Sequence, residues 1–166
     1  FAAPAASQAA LRGRMTDAHF LDATAAALGR PLPASANRAL TAGPRTVFRL
    51  GPDAWLAVDD ADAGLGRRLE ETAGLHALDL SSTRARLRLR GAAARDLLAV
   101  GAAIDLRAKS FPAGAFAQTP IGNATAILHA RADDVFDIYI ARSFAPSWLV
   151  WLSHAGREFE LQIARD

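Results

Sequence analysis

The side chains that most often carry chemistry are sparse and scattered in this sequence. It contains no cysteine, which excludes thiolate metal sites, redox pairs and a thiol nucleophile. The four histidines lie far apart, with no second ligand or relay residue at a characteristic spacing. They are His19, His76, His129 and His154. The local sequence therefore supports neither a metal site nor a Ser-His-Asp constellation.

Two short segments resemble fragments of known sites. Ser81 and Ser82 follow Asp79, but they lack the flanking glycines of a nucleophile elbow, so a role in capping a strand end is favoured. Gly64 and Gly66 resemble the beginning of a dinucleotide-binding loop, but the third glycine is missing and the segment lies within a helical pattern. Neither segment predicts a catalytic or nucleotide-binding site.

Two acidic clusters have the composition of paired catalytic carboxylates or of a cation site. Both flank predicted hairpins, where aspartate favours turns and helix caps, so a structural role is favoured for each. The first cluster contains Asp59, Asp60 and Asp62, and the second contains Asp133, Asp134 and Asp137.

The most unusual segment is residues 83–90, in which arginine alternates with small or apolar residues. Strand periodicity places Ala85, Leu87 and Leu89 on one face and every arginine on the other. The arginines are Arg84, Arg86, Arg88 and Arg90. Either neighbouring aspartates neutralise this face, or it docks to an acidic protein surface or an anionic ligand, since guanidinium groups suit carboxylate and phosphate. RNA is disfavoured because the flanking strands lack exposed aromatic residues on which bases stack.

The last predicted helix carries an apolar stripe at turn spacing. Its members are Phe144, Trp148, Trp151, Leu152 and Ala155. Such a stripe is either part of the core or a groove for a partner. Two tryptophans on one short helix favour a buried interface for part of this face.

Composition narrows the class of protein further. The chain has 166 residues, of which 51% are hydrophobic, and its net charge is +2. This composition predicts one ordinary globular domain, or two very small and closely packed ones, and it disfavours a binder of bulk polyanions. No apolar run approaches the roughly 20 residues that a membrane span needs. The absence of cysteine fits a reducing compartment, so we expect a cytoplasmic protein.

Hydrophobic periodicity predicts the order strand, helix, hairpin, helix, strand twice. The first set comprises a strand at 9–12, a helix from Asp17 to Gly29, a hairpin at 45–58, a helix at 61–72 and a strand at 75–80, with an irregular crossover at 31–44. The second comprises a strand at 83–90, a helix at 92–100, a short strand at 115–119, a hairpin at 125–140, a helix at 143–155 and a tail strand near 159–163.

The two sets of elements are also related in sequence. Residues 45–58 align with residues 126–139, matching a strand, an acidic turn, an aromatic residue and a second strand. The sequence therefore predicts one α+β domain over residues 1–166 that consists of duplicated ferredoxin-like βαββαβ units. The pseudo-repeats span about residues 7–80 and 83–163.

Seven short motifs occur in an order typical of a known family. They are Leu-Arg-Gly at 11–13, Leu-Gly-x-x-Leu-Pro at 28–33, Leu-Gly-Pro-Asp-x-Trp-Leu at 50–56, Asp-Leu-Ser-x-x-Arg at 79–84, Gly-x-x-Ala-x-Asp-Leu-Leu at 91–98, Pro-x-Gly-x-x-Ala-Gln-Thr at 112–119 and Phe-Asp-Ile-Tyr-x-x-Arg-Ser-Phe at 136–144. Residues 78–98 resemble the folate-binding domain of the glycine-cleavage aminomethyltransferase superfamily. More closely, the set resembles the gamma subunit family of heterotetrameric sarcosine oxidase, over nearly the whole chain except its ends and residues 34–43.

This resemblance implies a fold like the aminomethyltransferase folate-binding domain and a place in a four-subunit oxidase. Such an oxidase demethylates sarcosine and passes the one-carbon unit to tetrahydrofolate. The resemblance implies that FAD, FMN, NAD and tetrahydrofolate are held by the partner alpha, beta and delta subunits, and that this chain alone binds none of them. We therefore expect an assembly subunit without catalytic or metal-binding residues. Its expected docking residues are Arg84, Arg86, Arg88, Arg90, Trp148 and Trp151.

Other functions remain open at this point. A free-standing, tetrahydrofolate-binding protein of the aminomethyltransferase type would share the fold, although no position can be assigned to that family's catalytic acid. An anion or RNA binder would use the arginine face and show steep salt dependence. Within the oxidase interpretation, the methylated amine could be sarcosine, methylglutamate or a betaine.

Overall fold

The computed structural model of the protein describes residues 6–162. The chain divides into two compact units, and the boundary lies between Ser82 and Thr83. We refer to the described residues 6–82 as the first unit and to residues 83–162 as the second unit. The boundary falls in the gap between the two pseudo-repeats of the sequence.

The first unit contains five strands and two helices. They are β1 (Ser7–Arg12), α1 (Ala18–Leu28), β2 (Leu40–Ala42), β3 (Arg45–Gly51), β4 (Ala54–Asp59), α2 (Leu65–Glu71) and β5 (His76–Asp79). The strands form one antiparallel sheet in the order β2-β3-β4-β1-β5. Without the short edge strand β2, this is the strand order of a ferredoxin-like βαββαβ unit.

The second unit repeats most of this arrangement. Its elements are β6 (Arg84–Arg90), α3 (Ala94–Ala99), β7 (Phe116–Ile121), β8 (Ala124–Ala132), β9 (Val135–Ala141), a 3-10 turn (Arg142–Phe144), α4 (Ala145–Ala155) and a second 3-10 turn (Gly156–Phe159). The antiparallel sheet has the order β6-β9-β8-β7. Strands β6, β9, β8 and β7 thus take the places of β1, β4, β3 and β2. The predicted α+β class with ferredoxin-like units is confirmed.

The two hairpins share an irregularity at the same place. The β3–β4 ladder shifts register between Arg49 and Gly51, and the β8–β9 ladder shifts between Ala130 and Ala132. These positions coincide when residues 45–58 are aligned with residues 126–139. A bulge inserts one unpaired residue and bends the strand, and it is seldom incidental. The shared bulge supports an internal duplication.

A second shared feature lies where the first strand of each unit ends. The backbone N–H of Gly13 donates to the carbonyl of Asp53 at 3.1 Å, and that of Gly91 donates to the carbonyl of Asp134 at 3.0 Å. Both glycines follow a Leu-Arg dipeptide, so Leu-Arg-Gly is itself a repeated motif. The second copy of this motif, at residues 89–91, is a sequence signal of the duplication that lies outside the alignment of residues 45–58 with residues 126–139.

Local sequence explains the boundaries of α1. The carboxylate of Asp17 accepts a hydrogen bond from the N–H of Phe20 at 3.2 Å, which satisfies a donor that the first turn leaves open. Gly29 ends the helix in the left-handed conformation, at φ 73°. Phe20, Thr24 and Leu28 are buried, so this face of the helix packs on the core as its spacing predicts.

Each unit has its own hydrophobic core. In the first unit the core joins β1, β4 and both helices through Leu11, Phe20, Trp55, Leu65 and Leu69. In the second unit it joins all four strands, α3 and α4, and it includes Leu89, Leu98, Leu128, Phe136 and Trp148. A folded unit of this kind needs no metal or disulfide to bury a core.

Two predictions about local structure are wrong. Residues 31–44 are not irregular throughout, because Leu40–Ala42 pairs with β3 as an edge strand. Residues 159–162 do not form a tail strand. Phe159 ends a 3-10 turn, Glu160 adopts a left-handed φ of 50°, and the N–H of Leu161 turns back to the carbonyl of Gly156 at 3.3 Å. Residue 163, the end of the predicted strand, lies outside the described residues.

Candidate docking surface

Strand β6 has two chemically different faces, as its alternation predicts. Leu87 and Leu89 are buried in the core of the second unit, and Ala85 packs against it. The arginines occupy the opposite face. The prediction of an amphipathic strand is therefore confirmed, and the question becomes how much of the arginine face is available to a partner.

The arginines of β6 differ widely in exposure. Arg90 is exposed and Arg84 and Arg88 are half-buried, whereas Arg86 is only 8% exposed. Burial lowers the pKa of Arg84, although an arginine stays charged at any physiological pH. The face is thus not a continuous strip open to solvent. Arg86 offers little surface for docking, while Arg90 offers the most.

Arg88 belongs to a buried ion cluster centred on Asp137. Its Nε and Nη2 bind the two carboxylate oxygens of Asp137 at 2.6 and 2.9 Å, and Nη1 of Arg131 binds Oδ2 at 3.0 Å. Asp137 is completely buried, whereas the side chains of Arg88 and Arg131 are 22% and 24% exposed. Register explains the contact, because Arg88 on β6 lies opposite Asp137 on β9.

The protonation of Asp137 follows from these contacts. Burial by itself raises the pKa of its carboxyl group, because a charge loses hydration inside the protein. The hydrogen bonds and charges of Arg88 and Arg131 outweigh this effect, so the pKa of Asp137 lies below its ordinary value. Asp137 is therefore ionised at neutral pH. It neutralises Arg88 in the way that one interpretation of the sequence anticipated.

Sequence reasoning did not identify the Asp137 cluster as such. The sequence pattern places Asp137 in the second strand of the hairpin but groups it with Asp133 and Asp134, for which a turn or cap role is favoured. In the structure Asp137 lies inside β9 and is buried. A signal was available, since Asp137 interrupts an otherwise apolar strand (Val-Phe-Asp-Ile-Tyr-Ile). A charge in the middle of such a strand is buried, and it then requires a partner of opposite sign.

The two tryptophans of α4 have different environments. Trp148 is completely buried, and its indole N–H donates to the carbonyl of Ile121 at 2.9 Å. Trp151 is half-buried and packs beside Trp148 with ring centroids 5.5 Å apart. Its ring lies against the backbone of Gly101 and Gly122, where an added Cβ would collide with it. Trp148 is therefore a core residue with no surface for docking, and only Trp151 remains a candidate.

Exposed apolar side chains occur on α4, in the turn before it, and beside a segment that α4 contacts. Phe144 precedes α4 and is 50% exposed, and Val150 lies on α4 and is 57% exposed. Val100, which is also exposed, is next in sequence to the Gly101 backbone that Trp151 covers. Helix α4 contains no Asp, Glu, Lys or Arg. An uncharged helix face with exposed apolar residues is typical of a protein contact surface.

The serines after β5 have a structural role. The carboxylate of Asp79 accepts hydrogen bonds from the N–H and the hydroxyl of Ser81, at 2.8 and 2.5 Å. The Ser81 hydroxyl in turn accepts the N–H of Gln8 on β1 at 3.0 Å. Ser81 therefore fastens the end of β5 to β1, as the strand-end interpretation predicts, and none of its hydrogen bonds within residues 6–162 is to a histidine.

The segment from Gly64 to Gly66 does not fit a dinucleotide. The N–H of Gly66 donates to the hydroxyl of Ser7 at 2.7 Å, so it is not available to a phosphate. A Cβ on Gly66 would lie 2.6 Å from the carboxylate of Asp79, and that negative charge would repel a pyrophosphate. The glycine is required by this close approach and not by a ligand.

The first acidic cluster also serves local structure. Asp59 accepts the N–H groups of Ala61 and Asp62 at 2.9 and 3.0 Å, and it pairs with Arg45 at 2.9 Å. Asp62 accepts the N–H of Gly64 and forms an ion pair with Arg68 on α2. The hydrogen bond from Arg68, with further help from Gly64, lowers the pKa of Asp62 to about 2.

Neither a metal site nor a membrane-spanning helix is found among residues 6–162. Within residues 6–162, no three His, Cys, Asp or Glu side chains are grouped so that they could hold a metal ion. No helix in the described part of the chain combines the length and the apolar character that crossing a bilayer requires.

Fold and surface together define a class: an α+β protein of two ferredoxin-like units, with internal ion pairs and one apolar helix face suited to contact with another protein. Comparison with protein families identifies the particular family. Residues 12–158 match the family described as sarcosine oxidase, gamma subunit. The chain therefore belongs to the sarcosine oxidase gamma subunit family.

A solved structure agrees with this assignment. The chain is similar to one in the heterotetrameric sarcosine oxidase from Corynebacterium sp. U-96 in complex with pyrrole 2-carboxylate. The sequences are 27% identical, the TM-score is 0.85, and the match covers 96% of this chain and 84% of that one. A comparison with curated proteins finds no match.

Proposed function

We propose that this protein is a non-catalytic subunit of a heterotetrameric, flavin-dependent amine demethylase of the sarcosine oxidase type, and that its role is to hold the complex together. The observation that carries this proposal is the family match over residues 12–158, in combination with the similarity to a chain of a heterotetrameric sarcosine oxidase. The proposed reaction of the whole complex is oxidative demethylation of sarcosine, with transfer of the one-carbon unit to tetrahydrofolate.

The uses of the polar groups support a role in assembly. Ser81 and Asp79 fasten β5 to β1, Asp62 is paired with Arg68 of α2, and Asp137 is committed to two arginines. We therefore assign FAD, FMN, NAD and tetrahydrofolate to partner subunits of the alpha, beta and delta types, and we propose that the complex is cytoplasmic.

The proposed contact with the larger subunits is the exposed apolar surface of α4 and of the turn before it, which includes Phe144, Val150 and Trp151. Burying such side chains against a partner removes apolar surface from water at about 25 cal/mol per Å². The uncharged sequence of α4 removes the cost of desolvating charges on this face.

The proposal is tested by co-expressing the tagged chain with the genes that flank its own and weighing what co-purifies. We expect larger subunits in a fixed stoichiometry, flavin absorbance in the complex, and oxidation of sarcosine. A colourless, solitary and well-folded protein would contradict the proposal. Binding of tetrahydrofolate by that solitary protein would support the aminomethyltransferase alternative.

The docking patch is tested by Val150→Glu in the same co-expression. We expect recovery of the complex to fall, because a charge is introduced into an apolar contact, while the isolated chain keeps its melting temperature since Val150 faces solvent. The matched control is Leu78→Glu, because Leu78 on β5 is 55% exposed and lies in the first unit. Equal recovery of the two variants would exclude α4 as the contact.

A further inference from the structure

A groove in the second unit has the size and the lining of a small-molecule site. Its volume is about 510 Å³, which lies within the roughly 300–1,000 Å³ of pockets that hold small ligands. The end of β6, the residues around the start of α3 and the turn after α4 form its walls. Because the turn after α4 is distant in sequence from the other two segments, the groove exists only in the folded unit.

One part of the lining is apolar. Leu89 and Leu97 line the groove and belong to the core of the second unit. Phe159 and Leu161 also line it, and both are half-buried and pack against the same core. An apolar group in the groove would remove more of this hydrocarbon surface from water. The lining therefore favours a ligand with an apolar part.

Two opposite charges line the same groove. Arg90 on β6 and Glu160 in the turn after α4 both contribute to its walls, and both are exposed. Within residues 6–162, neither side chain forms an ion pair or a hydrogen bond, so the two are not paired with each other. Arg88, the remaining charged residue of the lining, is already bound to Asp137. One cation and one anion are thus left for a ligand.

The backbone of Glu160 has an unusual conformation. Its φ of 50° lies in the left-handed region, which a residue with a Cβ seldom adopts. The N–H of Leu161 donates to the carbonyl of Gly156 at 3.3 Å, and a Cβ on Gly156 would lie 2.6 Å from the Cβ of Leu161. Strain of this kind persists only where the surrounding packing imposes it, and it is concentrated at functional sites such as ligand clamps. The close packing of Gly156 on Leu161 therefore fixes Glu160 at the groove.

We propose that this groove binds a free α-amino acid with an apolar side chain. Arg90 donates to the carboxylate of the ligand, and Glu160 accepts from its ammonium group, since hydrogen bonds between charged partners are the strong ones. The apolar side chain of the ligand lies against Leu97 and Leu161. A ligand with a single charge would leave Arg90 or Glu160 unpaired, so a zwitterion fits the groove better than a simple anion or cation.

An α-amino acid also matches the order of the lining. Its two charges and its side chain are attached to one carbon atom, and in the lining each charged residue is next to an apolar one. Arg90 follows Leu89, and Glu160 lies between Phe159 and Leu161. The site is formed by this chain alone, so the inference goes beyond the proposed assembly function and does not depend on it.

The test is isothermal titration calorimetry of the full chain with L-phenylalanine. We expect saturable binding at one site per chain, with a dissociation constant of about 1 mM or tighter. Phenylalanine amide lacks the carboxylate and N-acetylphenylalanine lacks the ammonium group, so each should bind about tenfold more weakly or worse. L-alanine, which lacks the ring, should also bind more weakly. Failure of L-phenylalanine to saturate the chain at millimolar concentrations would overturn the proposal.

Two variants assign each charge of the ligand to one residue. Arg90→Gln should weaken the binding of L-phenylalanine about tenfold and remove the preference for phenylalanine over its amide. Glu160→Gln should weaken binding to a similar extent and remove the preference over N-acetylphenylalanine. Both side chains are exposed, so the melting temperature should not change. Preferences that are the same in the variants as in the unaltered chain would place the ligand elsewhere and overturn the proposal.

The matched controls lie in the same turn. Arg157 and Glu158 are exposed but do not line the groove, so Arg157→Gln and Glu158→Gln should bind L-phenylalanine as the unaltered chain does. If these controls weaken binding as much as Arg90→Gln and Glu160→Gln do, the effect comes from the charge of the surface as a whole, and the proposed site is wrong.

The outcome is separable from that of the proposed function. Binding of L-phenylalanine by a chain that co-purifies with no larger subunit would support the ligand site and contradict the assembly function. Assembly of the complex by a chain that binds no L-phenylalanine would support the assembly function and overturn the ligand site.

Discussion

The β3–β4 hairpin of the first unit and the β8–β9 hairpin of the second share a backbone but not a chemistry. Both contain a bulge at the same position. The bulged residue is Leu50 in one and Arg131 in the other, and the buried residue on the following strand is Leu56 in one and Asp137 in the other. The same backbone therefore accommodates an apolar pair or an ionic one.

The residue opposite this position on the neighbouring strand also differs between the two units. Ala10 on β1 lies opposite Leu56, and Arg88 on β6 lies opposite Asp137. A buried carboxylate is costly unless it is paired, so the aspartate requires the arginines that the first unit lacks. At these equivalent positions one unit therefore carries only apolar residues, namely Ala10, Leu50 and Leu56, and the other carries only charged residues, namely Arg88, Arg131 and Asp137.

The largest effect on stability is expected from breaking the ion cluster of Asp137, Arg88 and Arg131. Asp137→Leu leaves Arg88 and Arg131 without their shared carboxylate, and we expect the free energy of unfolding to fall by about 3 kcal/mol in urea titrations. This is the lower end of the range for buried pairs, because both arginines reach solvent. Asp53→Asn, which removes only the exposed pair with Arg12, should cost under about 1 kcal/mol. A similar cost for both variants would contradict the difference in burial.

A second variant replaces the ion cluster of the second unit by the apolar residues that the first unit has at the equivalent positions. The triple variant Asp137→Leu/Arg88→Ala/Arg131→Leu copies the first unit at these positions. We expect its stability to return to within about 1–2 kcal/mol of the unaltered protein, since an apolar set of suitable volume can replace buried ions. If the triple variant is less stable than Asp137→Leu alone, the two sets are not equivalent.

A second contrast concerns two equivalent aromatic residues, Trp55 in the first unit and Phe136 in the second, each of which lies beside an arginine. Arg95 on α3 lies 5.0 Å from the ring of Phe136 and donates to the carbonyls of Leu106, Phe111 and Asp133. It thereby fastens the loop after α3 to the β8–β9 turn. We expect Arg95→Ala to cost about 2 kcal/mol, since bonds from a charged donor to three carbonyls are lost.

The control for Arg95 is its counterpart Arg49 beside Trp55, with 5.9 Å to the ring. Arg49 also donates to three carbonyls, but only the bond to Ala34 leaves its own turn, and the bonds to Gly51 and Pro52 are 3.3 Å long. Arg49→Ala should therefore cost about 1 kcal/mol, as measured by the same urea titration. A larger cost at Arg49 than at Arg95 would reverse the ranking.

A third contrast is between equivalent turn glycines. Gly43 between β2 and β3 and Gly122 between β7 and β8 have φ angles of 55° and 59°. Open space surrounds Gly43, whereas Gly122 contacts Trp151. Both Gly→Ala changes should cost about 1 kcal/mol from backbone strain, and Gly122→Ala should cost about 1 kcal/mol more and shift the tryptophan emission to longer wavelength. Identical costs and spectra would show that Trp151 does not depend on this turn.

The smallest expected effect is on acid stability. Because the pKa of Asp137 is lower in the folded protein than in the unfolded chain, its ionised form contributes stability above the ordinary value of 3.8, and this contribution is lost as the pH falls further. The unaltered protein should therefore lose more stability than the triple variant between about pH 5 and about pH 3. Parallel pH profiles of stability for the two proteins would show that folding does not lower the pKa of Asp137.

Much of the fold could be predicted because its signals are local. Asp17 and Gly29 mark the ends of α1, and the alternation in residues 83–90 marks a strand with its apolar face toward the core. Strand β2 could not be predicted, since a three-residue edge strand in a Pro- and Ala-rich segment exists only by pairing with β3. The 3-10 turn and the left-handed Glu160 likewise depend on how the chain packs after α4.

The candidate site was less predictable than the fold. Periodicity identified the arginines of β6 and the stripe on α4, but it could not separate Trp148 in the core from Trp151 at the surface, because both lie near one face of the helix. It also did not separate Asp137 from the turn residues Asp133 and Asp134, because Arg88, one of the two partners that justify its burial, is 49 residues away in sequence.

The sequence by itself determined the class of elements, the duplication and the family, because periodicity, caps and ordered motifs are properties of neighbouring residues. Which charges are buried, and which tryptophan of α4 lies in the core, depends on the tertiary structure. Burial and pairing depend on strand register, which brings Arg88 opposite Asp137 across 49 residues of chain. The residues near Asp137 in the sequence give no indication that Arg88 will lie opposite it.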